Sequence, residues 1–273
     1  MAIITLAREL AALGDETAHE LAGQLGYRLV GKHDLEERMK ALGLTERKIS
    51  KYDEKKPSFL ASLSQDRDDY LHYLKTAIYT EAGQGNCIFI GRGCAAILSG
   101  IPGVVSVFLS APAEVRLERV KSYFHCDERR AKQIIDQSDR DREGFHRYFF
   151  DTPWRAPENY HLTFNTGFLH PELCAGMVKN LLALLVNQED EAANALALKD
   201  LILGQQIIQH ILFEKNIPVH FLEASVDAGA VTLFGVANSP SLVELAVASA
   251  KEAPAVSSVR SEIQVVQEYS LAP

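Results

Sequence analysis

The stretch from Ile3 to Gly26 contains residues whose types and order could bind phosphate. The apolar, β-prone run Ile3 to Leu6 is followed by a turn, Arg8 to Gly14, and then by apolar residues at helical spacing. At such a turn, unpaired backbone N–H groups and the helix dipole favour an anion. The stretch therefore predicts a strand, a phosphate turn (residues 8–14) and a helix, which form half of a βαβ unit.

The phosphate turn lacks most of the residues that such turns use. Gly14 is its only glycine, it has no lysine, and Asp15 and Glu16 follow in the first helical turn. Glycines let a backbone approach phosphate closely, whereas acidic residues at a helix start also suit an ordinary helix. Two interpretations therefore remain open, a phosphate site and a capped helix without a ligand.

Other polar residues follow apolar runs further along the chain. Arg92 stands between two glycines after the run Cys87 to Ile90, which is typical of a strand buried on both faces. Ser110 and Asn165 follow two later predicted strands. Because ligands bind at the carboxyl ends of parallel strands, we expect Arg8, Arg92, Ser110 and Asn165 to meet at one edge of a sheet.

The elements that must position these residues alternate between strand and helix. The spacing of apolar residues predicts strands over 3–6, 27–30, 87–90, 104–109 and 160–165, and helices over 15–24, 34–42, 70–82, 113–124 and 170–186. Asp34 is predicted to cap its helix, and residues 43–69 to form a polar insertion. The alternation predicts an α/β fold with a doubly wound parallel sheet over residues 1–186.

A second, smaller unit is predicted after this sheet. Residues 187–195 are acidic and small, which favours a linker. A helix over 196–214, strands over 219–226, 230–236 and 256–266, and a helix over 240–251 then predict a small α+β domain, residues 196–268.

Composition excludes several classes of protein. The 273 residues carry a net charge of −8, which argues against a generic nucleic-acid or membrane-surface binder. We find no apolar run long enough for a membrane span and no signal peptide. The four scattered cysteines favour a reduced, cytoplasmic setting, and His125 beside Cys126 lacks a partner pair for a metal site.

The first part of the chain resembles the cytidylate-kinase-like family of nucleoside monophosphate kinases, which have the P-loop fold. The resemblance covers about residues 1–186. It rests on the order of several short motifs, namely Arg8-Glu9, Gly14, Leu25-Gly26-Tyr27, Gly91-Arg92-Gly93, Ala111-Pro112, Arg116, Glu118, Arg119, Asp139, Arg142, Tyr148, Trp154, Pro157 to Tyr160, and Asn165-Thr166.

The resemblance implies transfer of a phosphoryl group from ATP, with Mg²⁺, to a nucleoside monophosphate, CMP or dCMP. It assigns Arg92 and Asp34 to the monophosphate. It implies that Arg129, Arg130, Arg140 and Arg142 are lid cations that close over the phosphates, and that Arg8 and Gly14 lie at the ATP phosphates. Asp139 would orient Arg142 or approach Mg²⁺ through water. Arginine suits this chemistry because its planar fork binds phosphate oxygens and stays charged.

Simpler roles remain open for several of these residues. Arg116, Arg119 and Arg129 are equally consistent with solvated helix faces. Arg142 could form a surface salt bridge of little energetic weight, and Asp34 could act only as a helix cap.

The phosphate turn departs from the family pattern Gly-Ser-Gly-Gly-Arg. The corresponding residues are Ala11, Ala12, Leu13, Gly14 and Asp15, so two glycines are missing and a cation has become an anion. Opposite charges in contact differ in interaction energy from like charges by about a few kcal/mol at intermediate dielectric. Two hypotheses therefore stand together, an active kinase and a catalytically inactive pseudokinase that senses a nucleotide or another ligand.

The second unit resembles a BON domain over about residues 196–268. The match rests on the glycine-flanked strand Gly229 to Gly235 and on the closing strand with Ile263-Gln264-Val265. We expect a regulatory module that binds a small ligand or a protein. A third hypothesis is a scaffold in which this module forms a homo-oligomer.

Overall fold

The computed structural model of the chain describes residues 2–52 and 66–266. The chain divides into two compact units, residues 1–194 and residues 195–273. In the described part, every helix is too short or too polar to serve as a membrane span.

The first unit alternates strands and helices around a five-stranded parallel sheet, which confirms the predicted doubly wound α/β fold. The strands follow the spatial order β2-β3-β1-β4-β5. Their bounds are β1 Ile3–Arg8, β2 Arg28–Val30, β3 Cys87–Ile90, β4 Val104–Ser110 and β5 Leu162–Asn165. The helices are α1 Gly14–Leu25, α2 Lys32–Ala41, α3 Glu46–Lys51, α4 Asp66–Ala82, α5 Cys94–Ile97, α6 Ala113–Phe124, α7 Glu128–Phe150 and α8 Pro171–Leu185.

The sheet aligns the ends of its central strands. β1 lies between β3 and β4, and its first five residues are buried because helices cover both faces of the sheet. On one face, Ile4 and Leu6 belong to a core with Leu21 of α1 and Val178 of α8. The parallel register brings Arg8 opposite Leu109 and Ser110 opposite Asn165, so the predicted edge of polar residues is present.

The charge-dense stretch after α6 folds into the 23-residue helix α7. Asp127 caps it, since its side chain accepts a hydrogen bond of 2.7 Å from the backbone N–H of Arg130. Phe145 and Phe149 are buried on the apolar side of the helix, where Phe149 packs against Tyr52 and Tyr70. This apolar side holds the second half of α7 against the sheet unit.

Two local expectations in the first unit differ from the structure. Asp34 is the third residue of α2 and accepts from the N–H of Gly31 at 2.8 Å, so Gly31 is the cap. Helix α4 begins at Asp66, four positions before the predicted start, and residues 53–65 of the predicted insertion lie outside the described residues.

The predicted linker, residues 187–195, is almost entirely helical. Helix α9 spans Gln188–Gln209, and Asn187 and Asp190 cap its start by exchanging two hydrogen bonds of 3.1 and 2.9 Å. The acidic residues that suggested a linker instead stabilise the first turn through the helix dipole.

The second unit is a small α+β domain, as predicted. After a π-helical turn, His210–Glu214, come β6 His220–Asp227, β7 Ala230–Ala237, α10 Pro240–Ala250 and β8 Ser258–Val265. β6 and β7 pair antiparallel, and β7 and β8 pair parallel. Leu233 of β7 packs in one core with Ile207, Ala246 and Ile263.

His210 links two helical segments of the second unit. Its Nδ1 lies 2.7 Å from Glu214 and its Nε2 3.0 Å from Glu252, and Lys215 also contacts Glu252. Hydrogen bonds to Glu214 and then Glu252 raise the pKa of His210. A raised pKa in the folded state stabilises the unit at low pH, below the ordinary histidine pKa of about 6.5, and this stabilisation is lost as pH rises through the folded value.

We therefore expect the second unit to become less stable as pH rises from about 6 to 8. Amide hydrogen exchange in β6, β7 and β8 measures this, and His210→Gln should flatten the dependence. His220→Gln changes another exposed histidine of the same unit and serves as the control. A pH dependence that survives His210→Gln would contradict the assignment.

Candidate phosphate-binding site

The phosphate turn keeps a glycine-like backbone although two of its glycine positions hold other residues. Ala11 has φ of 60° and Leu13 has φ of 54°, both in the left-handed region. Residues with a side chain enter this region at a cost of roughly 1–2 kcal/mol each. The surrounding structure must therefore hold the turn in this conformation.

Side chains from distant parts of the chain keep the turn in this conformation. They bind the carbonyl oxygens of three consecutive turn residues. Arg116 Nε donates to Leu10 O at 2.8 Å, Arg119 Nη1 donates to Ala11 O at 2.9 Å, and Thr166 Oγ1 donates to Ala12 O at 3.1 Å. Arg119 also donates to Thr166 O at 2.7 Å, which ties these partners together.

The same conformation leaves amides of the turn available. Among the described residues, the backbone N–H groups of Ala11, Leu13 and Gly14 donate to no other backbone carbonyl. Together with the start of α1 they form the arrangement that binds anions at helix N-termini. Gly14 must be glycine here, because a Cβ would lie 2.4 Å from Arg8 Cγ.

A network of ion pairs around the buried Arg116 also holds the phosphate turn. Arg116, whose side chain is 5% exposed, contacts Glu9 at 3.2 Å and binds both carboxylate oxygens of Asp139, at 3.0 and 2.7 Å. Arg155 contacts the same two acids, at 2.8 and 2.6 Å. The solvated-face interpretation of Arg116 is therefore wrong. Asp139 contacts Arg116 and Arg155, whereas the expected partner Arg142 contacts Ser138.

Three of the predicted site arginines converge at the carboxyl edge of the sheet. Arg8, Arg92 and Arg142 line one small cavity, the cation pocket, together with Ala7, Gly91, Phe145, His146 and Trp154. Its volume is about 20 Å³. That volume holds about one water molecule, and a phosphate group is larger.

Two of these arginines have acidic partners. Arg92 is fully buried, and its Nη2 lies 2.5 Å from Glu36 while its Nη1 lies 3.5 Å from the Tyr70 hydroxyl. Arg8 Nε lies 3.5 Å from Asp15, whose side chain is 67% exposed. The pocket is thus built from cations whose charge is partly balanced by neighbouring acids.

The remaining lid arginines lie elsewhere on α7. Arg129, Arg130 and Arg140 are exposed, and the last two contact Gln133 and Gln137 of the same helix. Arg129 and Arg142 are thirteen positions apart, which is roughly 20 Å along a helix. The structure therefore brings only Arg142 of this group to the cation pocket.

Several residues that shape the site had weak signals in the sequence. Glu36 lies on α2 in an ordinary charged segment, and nothing in its spacing indicates a pairing with Arg92. Glu9 and Trp154 belong to the motifs of the family resemblance, which was a usable signal. Arg155 is next to that Trp but does not belong to those motifs.

The acidic residues next to the phosphate turn are candidates for contact with a metal ion. Asp15 and Glu16 begin α1, and Glu16 accepts a hydrogen bond from the Tyr123 hydroxyl at 2.9 Å. Within residues 2–52 and 66–266, no group of three or more His, Cys, Asp or Glu could hold a metal by itself. A Mg²⁺ ion at this place would need phosphate oxygens and water to complete its coordination.

Comparisons with known proteins match both units. The model of the cytidylate kinase-like family matches residues 3–167, and the model of the BON domain matches residues 199–267. No curated protein matches the chain. An uncharacterized protein from Eubacterium ventriosum is similar in structure, with 19% identity, a TM-score of 0.53, and coverage of 67% of this chain and 99% of that one.

A shikimate kinase from Bacteroides thetaiotaomicron aligns more loosely, with 15% identity and a TM-score of 0.41, over 67% of this chain and 98% of the other.

Proposed function

The chain belongs to the cytidylate kinase-like family and carries a BON domain after the family region, and from this premise we propose that it is an ATP-dependent nucleoside monophosphate kinase acting on CMP or dCMP. One observation carries the proposal. The phosphate turn holds left-handed backbone at Ala11 and Leu13, and among the described residues the N–H groups of Ala11, Leu13 and Gly14 donate to no backbone carbonyl. Such a turn next to three arginines suits phosphoryl transfer, which depends on positioning and charge stabilisation.

In this proposal each group of the chain has a separate role in binding or catalysis. The amides of the turn and Arg8 bind the phosphates of ATP, so Arg8 supplies a cation in place of the family's arginine at the position of Asp15. Arg92 binds the acceptor phosphate, and Arg142 stabilises charge on the transferred group. Arg116 and Asp139 position the turn. Mg²⁺, when bound, would neutralise phosphate charge beside Asp15 and Glu16.

Arg129, Arg130, Arg140 and Asp34 keep the roles that the resemblance implies, as part of the same proposal. The three arginines would reach the phosphates only after α7 moves, because they are exposed in the described conformation. The small volume of the cation pocket supports the same requirement. Opening and closing of α7 would admit substrates and then exclude water.

Asp15 leads to a prediction about the metal. A carboxylate beside the phosphate site repels free ATP, and Mg²⁺ relieves that repulsion. We expect the wild type to bind Mg-ATP at least ten-fold more tightly than ATP with a chelator, which corresponds to about 1.4 kcal/mol. Asp15→Asn should improve metal-free ATP binding and reduce the ratio. Isothermal titration calorimetry measures both affinities.

Glu20→Gln alters a partly exposed acid on the same helix and controls for general charge effects. Equal affinities with and without Mg²⁺ in the wild type would contradict this account of Asp15.

The activity itself is tested by ADP formation from Mg-ATP with and without CMP. The full chain is used, with Arg142→Ala prepared by the same route as a control for contaminating kinases. CMP-dependent ADP formation that is lost in the variant is the expected result. ADP formation that CMP does not stimulate, or that the variant retains, would overturn the proposal.

A second candidate is a pseudokinase that binds a nucleotide without transferring phosphate. It is favoured by the acidic partners of Arg8 and Arg92, which reduce the positive charge available to substrates. It predicts saturable Mg-ATP binding without CMP-dependent ADP formation. In both cases we propose that residues 196–268 form a cytoplasmic regulatory module, which binds a small ligand or protein or forms a homo-oligomer.

A further inference from the structure

The first unit contains a second cleft, separate from the cation pocket. Its volume is about 810 Å³, within the range of small-molecule sites. It lies at the amino-terminal end of β4, where Val104, Val105 and Ser106 contribute to its lining. The phosphate turn lies at the opposite, carboxyl ends of the strands. The second cleft is therefore in a different place from the proposed site of phosphoryl transfer.

The charge of the second cleft is opposite to that of the cation pocket. Its described lining includes the carboxylates of Glu158 and Asp190 and contains no lysine or arginine. The Asp190 carboxylate also accepts from the N–H of Asn187 at 3.1 Å, whereas Glu158 is an exposed side chain. The cleft consequently disfavours phosphates and other anions and favours a cationic group near Glu158.

Aromatic side chains form another part of the wall. Phe150, Trp154 and Tyr160 line the cleft. Burial raises the pKa of Tyr160 to about 12, so its hydroxyl stays protonated and donates to Trp154 O at 2.6 Å. This hydrogen bond fixes the two residues relative to each other. Trp154 is buried and the Arg155 guanidinium lies 5.1 Å from its ring centroid, so the wall offers apolar area to a planar ring through the partly exposed Phe150 and Tyr160.

Ser106, near the amino-terminal end of β4, and His161 form a polar pair in the lining of the cleft. His161 Nδ1 accepts a hydrogen bond of 2.9 Å from the Ser106 N–H and lies 2.8 Å from Ser106 Oγ. Because Nδ1 accepts from a backbone N–H, Nε2 is the ring nitrogen that carries a proton. His161 therefore adds a hydrogen-bond donor to the cleft.

We propose that the second cleft binds a small aromatic cation, with its ring against the aromatic wall and its positive group near Glu158. Charge complementarity selects this ligand class, since the cleft combines aromatic surface with carboxylates. Trp154 and His146 line both the second cleft and the cation pocket. A ligand in the cleft therefore lies near side chains that also line the cation pocket.

Trp154 provides a direct readout because it is the only tryptophan in the chain. The full chain is titrated with benzamidine, an aromatic cation, and with benzoate, which has the same ring and the opposite charge. We expect saturable quenching or shift of the Trp154 emission by benzamidine and a much weaker response to benzoate. Glu158→Gln should weaken benzamidine binding about two- to five-fold.

Glu172→Gln, an exposed acid at the start of α8, should leave the binding unchanged. Added Mg-pyrophosphate should not compete with benzamidine, because phosphate belongs to the other site. Equal responses to benzoate and benzamidine, an unchanged affinity in Glu158→Gln, or competition by Mg-pyrophosphate would each overturn the proposal. These results do not depend on kinase activity, so they are separable from a failure of the proposed function.

Discussion

Replacing Arg116 with alanine is expected to lower the free energy of unfolding of the first unit by about 3–5 kcal/mol. After the substitution, the buried Glu9 and Asp139 share Arg155 as their remaining cation. It also removes the donor that holds Leu10 O at 2.8 Å. Denaturant unfolding followed by Trp154 fluorescence measures the change, since this residue lies in the first unit.

Two further variants separate charge from geometry at this site. Arg116→Lys keeps the charge but cannot bind Asp139 through two nitrogens and Leu10 through a third, so we expect it to recover only part of the loss. Lys121→Ala removes an exposed cation of the same helix, α6, and should leave the unfolding midpoint unchanged. Full stability in Arg116→Ala would contradict the role of the ion network.

Replacing Arg142 with alanine is expected to reduce kcat for CMP-dependent ADP formation by about 10²–10³. Arg142 lines the cation pocket with Arg8 and Arg92, and a cation that stabilises transferred charge acts mainly in the transition state. KM for CMP should therefore change much less than kcat. Steady-state kinetics of ADP formation, with both parameters resolved, provide the measurement.

Arg147→Ala is the matched control for this prediction, because Arg147 has no proposed role at the phosphates. It removes the same side chain from the same helix at an exposed position, where Arg147 contacts Glu143. Its effect on kcat should be far smaller than that of Arg142→Ala. Equal losses in the two variants would show that α7 contributes general positive charge and would contradict a specific role for Arg142.

The sheet could be predicted from the sequence because its strands are continuous apolar runs between helical patterns. The conformation of the phosphate turn could not be predicted from the sequence. Ala11 and Leu13 suggest a blocked turn by residue type, yet both adopt left-handed backbone. The donors that hold it, Arg119 and Thr166, lie more than 100 positions away in the chain. Local sequence contains no information about such contacts.

The sequence partly predicts which of the lid arginines lies at the cation pocket. Arg142 is three and seven positions before Phe145 and Phe149, so it shares the apolar, inward side of a helix. In one amphipathic helix over residues 128–150, Arg142 lies on a different side from Arg129, Arg130 and Arg140. The pairing of Arg92 with Glu36 had no such signal, because it depends on how α2 packs near the end of β3.

The central claim is that backbone amides of the phosphate turn bind the phosphates of ATP, and amide chemical shifts test it most directly. Two-dimensional ¹H–¹⁵N spectra of the full chain are recorded with and without Mg-ATP. We predict that the largest and saturable shifts occur at Ala11, Leu13 and Gly14. Binding of Mg-ATP that leaves these three resonances in place and shifts amides elsewhere would contradict the claim.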